Sequence, residues 1–227
     1  MVHLYTASGA VLAFLIVLAA IQGNAVQALW LGLAALLIDG TDGSLARRFR
    51  VSEALPWFDG RRLDDIVDYL TYVFAPVLLL WKLGYLPAGI TGVILAALPL
   101  LASSYQFCRV DAKTDDHFFL GFPSYWNVVA FYAIVFNVAP ITVGAILLVC
   151  SILVFVPIRY VYPSRTVAYR WLTLTLTGLW LLCYALILLQ MPTPHPLLIN
   201  FSLLYLFYYV GLSLLLTYQT VLRRRPV

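Results

Sequence analysis

Ala145-Ile146-Leu147-Leu148-Val149 carries no alternation of apolar and polar residues, and this decides the class of fold. The run is too apolar for a soluble surface, and lipid offers no partner to open backbone groups. Only helices or a closed barrel can cross a bilayer. A barrel strand alternates its two faces with period two, and this run does not, so it is read as helix. Working outward, apolar runs near the ~20 residues needed to span hydrocarbon recur along the chain. The expected spans are 5–22, 25–46, 62–82, 88–108, 124–138, 140–160, 169–190 and 198–221. Hydrophobic residues make up 63% of the 227 and charged residues only 11%, about half the charged share of a soluble domain. The expectation is an all-α fold: one polytopic membrane bundle of about eight transmembrane helices over residues 1–227. No basic segment precedes Val11 and no small-residue cleavage site follows it, so the first span is expected to be retained.

Charge placement orients the bundle. Arg47, Arg48, Arg50, Arg61 and Arg62 fall between the second and third spans. Arg109 and Lys113 lie between the fourth and fifth, and Arg159, Arg165 and Arg170 between the sixth and seventh. Arg223, Arg224 and Arg225 follow the last, and Lys82 alone falls on the other side. The positive-inside rule makes the basic side cytoplasmic, with both termini inside. All ten acids lie on that same side, so polar chemistry is expected at one face. This counts against a transporter, which needs polar groups near the midplane or toward both sides. Cys108, Cys150 and Cys183 sit in or beside apolar runs without a C-x-x-C pair; they are read as buried structural thiols, not a disulfide framework or zinc site. His195, in the Pro-rich turn Met191–Pro196, is read as a loop residue.

The chemistry concentrates in Asp39-Gly-Thr-Asp42-Gly43-Ser-Leu-Ala46-Arg47 and Gly60-Arg-Arg-Leu-Asp64-Asp-Ile-Val-Asp68. Asp39 and Asp42 are three apart, and Asp64 and Asp68 four apart, so each pair shares a helix face. A short connection makes the two helices neighbours, and four carboxylates can converge. Asp65 points about 100° away from Asp64 and is placed outside the cluster. Clustered anions at a membrane face call for countercharge, and carboxylate oxygens suit hard Mg²⁺ or Mn²⁺. Two such ions are a common device for phosphoryl transfer. Gly43 and Ala46 leave room on the same stripe, Gly60 lets a phosphate approach the next helix, and Arg47 can fork onto phosphate oxygens. Residues 25–85 form the expected active-site core.

These residues match D-x-x-D-G-x-x-A-R, a spacer, then G-x-x-x-D-x-x-x-D, and in this the chain resembles the CDP-alcohol phosphotransferase family. The spacer, Arg48 to Asp59, is longer than the common form. That spacer, the run Leu63–Phe74 and the segment Asp116–Asn127 are similar to the bacterial phosphatidylcholine synthase branch. The resemblance implies CDP-diacylglycerol as donor, free choline as acceptor and CMP as leaving group. It implies that Asp39, Asp42, Asp64 and Asp68 hold two divalent ions, Mn²⁺ or Mg²⁺, and that Asp68 is the base. Asp42, Gly43, Ala46, Arg47, Gly60 and Asp64 would bind CDP. It also implies a homodimer and, in a bacterium, the inner membrane. Choline donates no N–H hydrogen bond and is held by aromatic faces; Tyr69, Tyr72, Tyr105, Phe118, Phe119, Tyr125 and Trp126 are the aromatics expected near the cytoplasmic face, with Tyr72, Tyr105, Phe118, Tyr125 and Trp126 the candidates for the site. Serine, inositol phosphate or glycerol phosphate as acceptor stays open, as does, from a different class, a divalent-cation transporter.

Overall fold

The computed structural model describes residues 1–223. Arg224 and Arg225 of the basic tail lie outside the described residues. The chain is mostly helical: α1 (Val2–Ile21), α2 (Ala25–Arg48), the single turn α3 (Val51–Ala54), α4 (Gly60–Asp68), α5 (Ala75–Lys82), α6 (Ile90–Cys108), α7 (Trp126–Val135), α8 (Pro140–Leu153), α9 (Arg170–Leu189) and α10 (Pro196–Arg223). Among the described residues, α1, α2, α6, α9 and α10 are long and apolar enough to cross a membrane. Phe14, Trp81, Ile141, Leu179 and Phe207 stand exposed on the outside of the bundle, as a lipid-facing surface requires.

The expected third span runs as helix from 60 to 82, but Tyr69–Phe74 winds as a π-helix between α4 and α5. Pro76 stands at the start of α5; it lacks an N–H and crowds the carbonyl one turn back, which widens the ladder over the preceding turn. The expected spans 124–138 and 140–160 shorten to α7 and α8, of 10 and 14 residues. At 1.5 Å per residue they are roughly 15 and 21 Å long, less than the hydrocarbon thickness. Asn137, at φ 46°, breaks the helix between them, and Pro157 follows the end of α8. The expectation of an all-α chain needs one amendment. Phe118–Leu120 (β1) pairs antiparallel with Arg159–Val161 (β2), with Phe119 opposite Tyr160. Both segments lie in the connections after α6 and α8, where an extended chain pairs its backbone groups across a gap no helix fills.

Local signals account for the helix starts that matter. The Asn24 side chain accepts from the Gln27 N–H at 3.0 Å and opens α2. The Asp59 carboxylate accepts from the Arg61 and Arg62 N–H groups at 3.1 Å each and opens α4. Arg47 and Arg48 close α2 against its negative end.

The core is built from α1, α2, α5, α7 and α9, with Phe131 stacked on Tyr184 at 3.7 Å between ring centres. The polar edges of its aromatics are satisfied: Trp180 Nε1 donates to the Tyr132 hydroxyl, which donates to Ser202, both at 3.0 Å. Helix α1 packs on α2, α4 and the π-helix. Its Gly9 makes the approach possible, because a Cβ there would stand 2.5 Å from Val67 Cγ1. Gly9→Val is therefore expected to destabilise the protein by about 1–3 kcal/mol, read as a lower melting temperature in detergent. The cysteines depart from the buried reading: all three are free thiols, Cys108 is exposed, and Cys150 and Cys183 are partly so. His195 lies in the turn before α10, its Nδ1 accepting from the Leu197 N–H at 3.3 Å.

Candidate active site

An open cavity of about 1320 Å³ lies at one end of the bundle. The start of α1, the end of α2, the 49–59 connection, the start of α4, the end of α6 and the loops around β1 and β2 all reach it. Asp39, Asp42, Gly43, Ala46, Arg47, Gly60 and Asp64 line it. Asp39, Asp42 and Asp64 each offer a carboxylate oxygen, all within 4.8 Å of one another. Asp42 is buried, at 6% exposure, and the other two are partly buried. Asp68, one turn beyond Asp64, is partly buried beside Asp39 and Asp64. It stands behind the three and is not part of the cavity wall.

Neighbours hold these carboxylates in place. Thr6 Oγ1 donates to Asp42 Oδ2 at 2.8 Å, and the Tyr72 hydroxyl donates to Asp39 Oδ2 at 2.5 Å. Lys113 Nζ lies 3.5 Å from Asp65 and 4.0 Å from Asp64. Three hard oxygen donors this close, two with a hydrogen-bonding orienter behind them, are a set that fits a divalent cation. Asp65 stays outside the three, as its helical angle dictates, and pairs with Lys113 instead. Arg47 folds back along its own helix, Nη2 donating to Ser44 at 3.1 Å, and a Cβ on Gly43 would meet its Nη1 at 3.3 Å. Gly60 is needed for another reason as well: a Cβ there would stand 2.7 Å from the His3 ring, which lies against Phe58 at 4.3 Å.

Residues 3–221 match the CDP-alcohol phosphatidyltransferase family. The chain belongs to that family. Its full length resembles known members. A phosphatidylcholine synthase of Legionella pneumophila is 41% identical over 99% of this chain and 90% of its own length. One of Pseudomonas aeruginosa is 41% identical over 94% of this chain and 89% of its own. One of Borreliella burgdorferi is 36% identical over 97% and 94%.

Of the aromatic candidates, Tyr72 is buried and reaches Asp39, and Tyr125 lies 6.0 Å from Tyr72. Neither of these two lines the cavity, nor do Tyr105, Phe118 and Trp126. Trp126 is fully buried, its Nε1 donating to Ser103 at 2.8 Å. Tyr105 lies outward against Phe155 at 5.0 Å. Phe118 packs under the Arg159 guanidinium at 4.7 Å. The segment around them is tied down by charge. Arg159 pairs with Asp116. Arg109 forks onto Asp111 through two 2.7 Å bonds, which hold that carboxyl below its ordinary range.

Sequence reasoning passed over His3, Thr6, Phe58 and Tyr162, all but Thr6 aromatic, and all on the cavity wall. Phe58 lies in the spacer beside Gly60, but His3, Thr6 and Tyr162 follow no spacing rule, since α1 and the β2 loop meet the motif only through packing. Thr6 is the one with a direct bond to the acid cluster. Thr6→Val, nearly isosteric, removes the bond to Asp42, and metal affinity is expected to fall about 10–100-fold. A metal titration of the purified variant checks this, with the melting temperature as a folding control.

Proposed function

We propose that this chain is a phosphatidylcholine synthase, transferring the phosphatidyl group of CDP-diacylglycerol to free choline with release of CMP. The observation that carries the reading is the convergence of Asp39, Asp42 and Asp64 within 4.8 Å on the wall of the cavity. It is joined to full-length likeness to phosphatidylcholine synthases. Asp39, Asp42, Asp64 and Asp68 would hold two Mn²⁺ or Mg²⁺ ions, which supply Lewis-acid neutralisation of phosphate charge. Gly43, Ala46 and Gly60 would give the nucleotide room beside Asp42 and Asp64, with Arg47 released from Ser44 to fork onto the diphosphate.

The choline oxygen attacks the phosphorus that carries diacylglycerol. Its bond to the CMP oxygen breaks, and CMP leaves with the electron pair. Asp68 takes the hydroxyl proton, which a poor nucleophile must lose as the bond forms. Positioning does much of the rest, because the substrate's phosphates and the acceptor are held at one end of the bundle. The single membrane domain, the number of crossings, the cytoplasmic face of the site, the bacterial inner membrane and a homodimer belong to the same proposal. The sidedness of Lys, Arg, Asp and Glu supports the cytoplasmic face, the apolar runs support the crossings, and the inner membrane and homodimer rest on the likeness to bacterial family members.

The test is CMP release by purified protein from CDP-diacylglycerol with choline, serine, inositol phosphate or glycerol phosphate in parallel. Release with choline alone is expected. Release only with another acceptor keeps the phosphotransfer and overturns the acceptor. No release with any, together with metal flux across vesicles, would turn the reading to a cation transporter.

A further inference from the structure

We infer that Phe119 and Tyr162, backed by Tyr125, form the seat of the acceptor's quaternary ammonium group; this rests on the choline reading above. Phe119 and Tyr162 stack at 4.5 Å and 28°, and both line the cavity that holds the acid cluster. Tyr125 meets Phe119 edge-on at 6.5 Å and 83°. Its other side lies 6.0 Å from Tyr72, whose hydroxyl is bonded to Asp39. Behind the wall, Tyr125 and Tyr72 thus link the pair to Asp39.

The backbone fixes them there. β1 carries Phe119, and Tyr162 follows β2 directly. The Tyr162 N–H donates to Thr166 Oγ1 at 2.8 Å, and Thr166 Oγ1 donates to the His117 carbonyl at 2.6 Å. Gly121, at φ 86°, permits the turn out of β1, since a Cβ would stand 2.1 Å from the Val154 carbonyl oxygen. The small sheet is therefore a device that presents two rings to the site.

A trimethylammonium group has no N–H to donate, so hydrogen-bond acceptors cannot select it; ring faces can. Its hydroxyl is only two carbons away, so the rings must stand beside the groups that activate the hydroxyl. The cluster supplies negative potential, and the Lys113 ammonium on the same wall is already paired with Asp65 and Asp64.

The experiment measures choline KM and kcat, and choline binding by calorimetry, for Phe119→Leu, Tyr162→Leu and Tyr162→Phe. Each Leu variant is expected to raise the choline KM about tenfold, the loss of one ring face, with kcat within twofold of the parent. Tyr162→Phe, which keeps the ring, is expected to retain the parental KM. The uncharged isostere 3,3-dimethylbutanol, used as acceptor, is expected to show no such loss. Turnover with choline at an unmoved KM in both Leu variants overturns the seat and leaves the reaction standing. Choline binding that weakens in the Leu variants, without turnover, keeps the seat and overturns the reaction. Neither binding nor turnover overturns both.

Discussion

Asp68→Asn is expected to lower kcat for CMP release about 10²–10⁴-fold, the usual contribution of a positioned general base. The carboxylate sits one helical turn beyond Asp64 and beside Asp39, partly buried and behind the cavity wall. Asn keeps the shape and most of the volume, so the local packing is little disturbed. It cannot take a proton. If Asp68 also holds metal, the metal dependence of the residual rate shifts to higher concentration. If its role is proton transfer alone, the metal midpoint stays and only kcat falls. CMP release at saturating CDP-diacylglycerol and choline, repeated over a Mn²⁺ series, separates the two. A variant within tenfold of the parent would remove Asp68 from the mechanism.

Asp42→Asn is expected to lower activity about 10²–10³-fold, the scale of losing one preorganised charge at the reacting phosphate. Asp42 is the buried member of the close three, and Thr6 donates to it. Loss of its charge leaves Asp39 and Asp64 as the remaining pair within the cluster, and Mn²⁺ affinity falls with it. Chelation of the parent enzyme is expected to abolish CMP release, and added Mn²⁺ or Mg²⁺ to restore it. The variant should need far more metal for its residual rate. Because four neighbouring acids repel one another, removing a charge should not lower the melting temperature of the metal-free protein. A parent enzyme indifferent to chelation would overturn the metal-dependent reading.

Much of the site was legible in the chain itself. The spacing of Asp39 with Asp42, and of Asp64 with Asp68, is a statement about helix faces, and helical periodicity survives any packing. Asp65 followed the same rule and fell outside the three. Apolar length located α1, α2, α6, α9 and α10 for the same reason: the bilayer, not the neighbour, sets that pattern. The aromatic candidates were harder. Expected placement near the cytoplasmic face favoured Trp126 and Tyr105, but a ring's direction depends on which helix it meets, and neither lines the cavity. The break at Asn137 to Pro140 falls where it was expected, whereas the span 140–160 overran because hydropathy does not register that the chain leaves the helix after Leu153 and turns extended past Pro157.

By its sequence alone, the chain determined its helical membrane class and the acid motif, since these depend on composition and on the repeat of a single helix. Tertiary structure alone decided that Thr6 orients Asp42, that Tyr72 reaches Asp39 and that β1 and β2 carry Phe119 and Tyr162 to the wall. Those contacts join residues far apart in the chain, 36 positions for Thr6 and Asp42 and 33 for Tyr72 and Asp39. No local periodicity encodes them; they exist because close packing leaves one arrangement in which the helices fit.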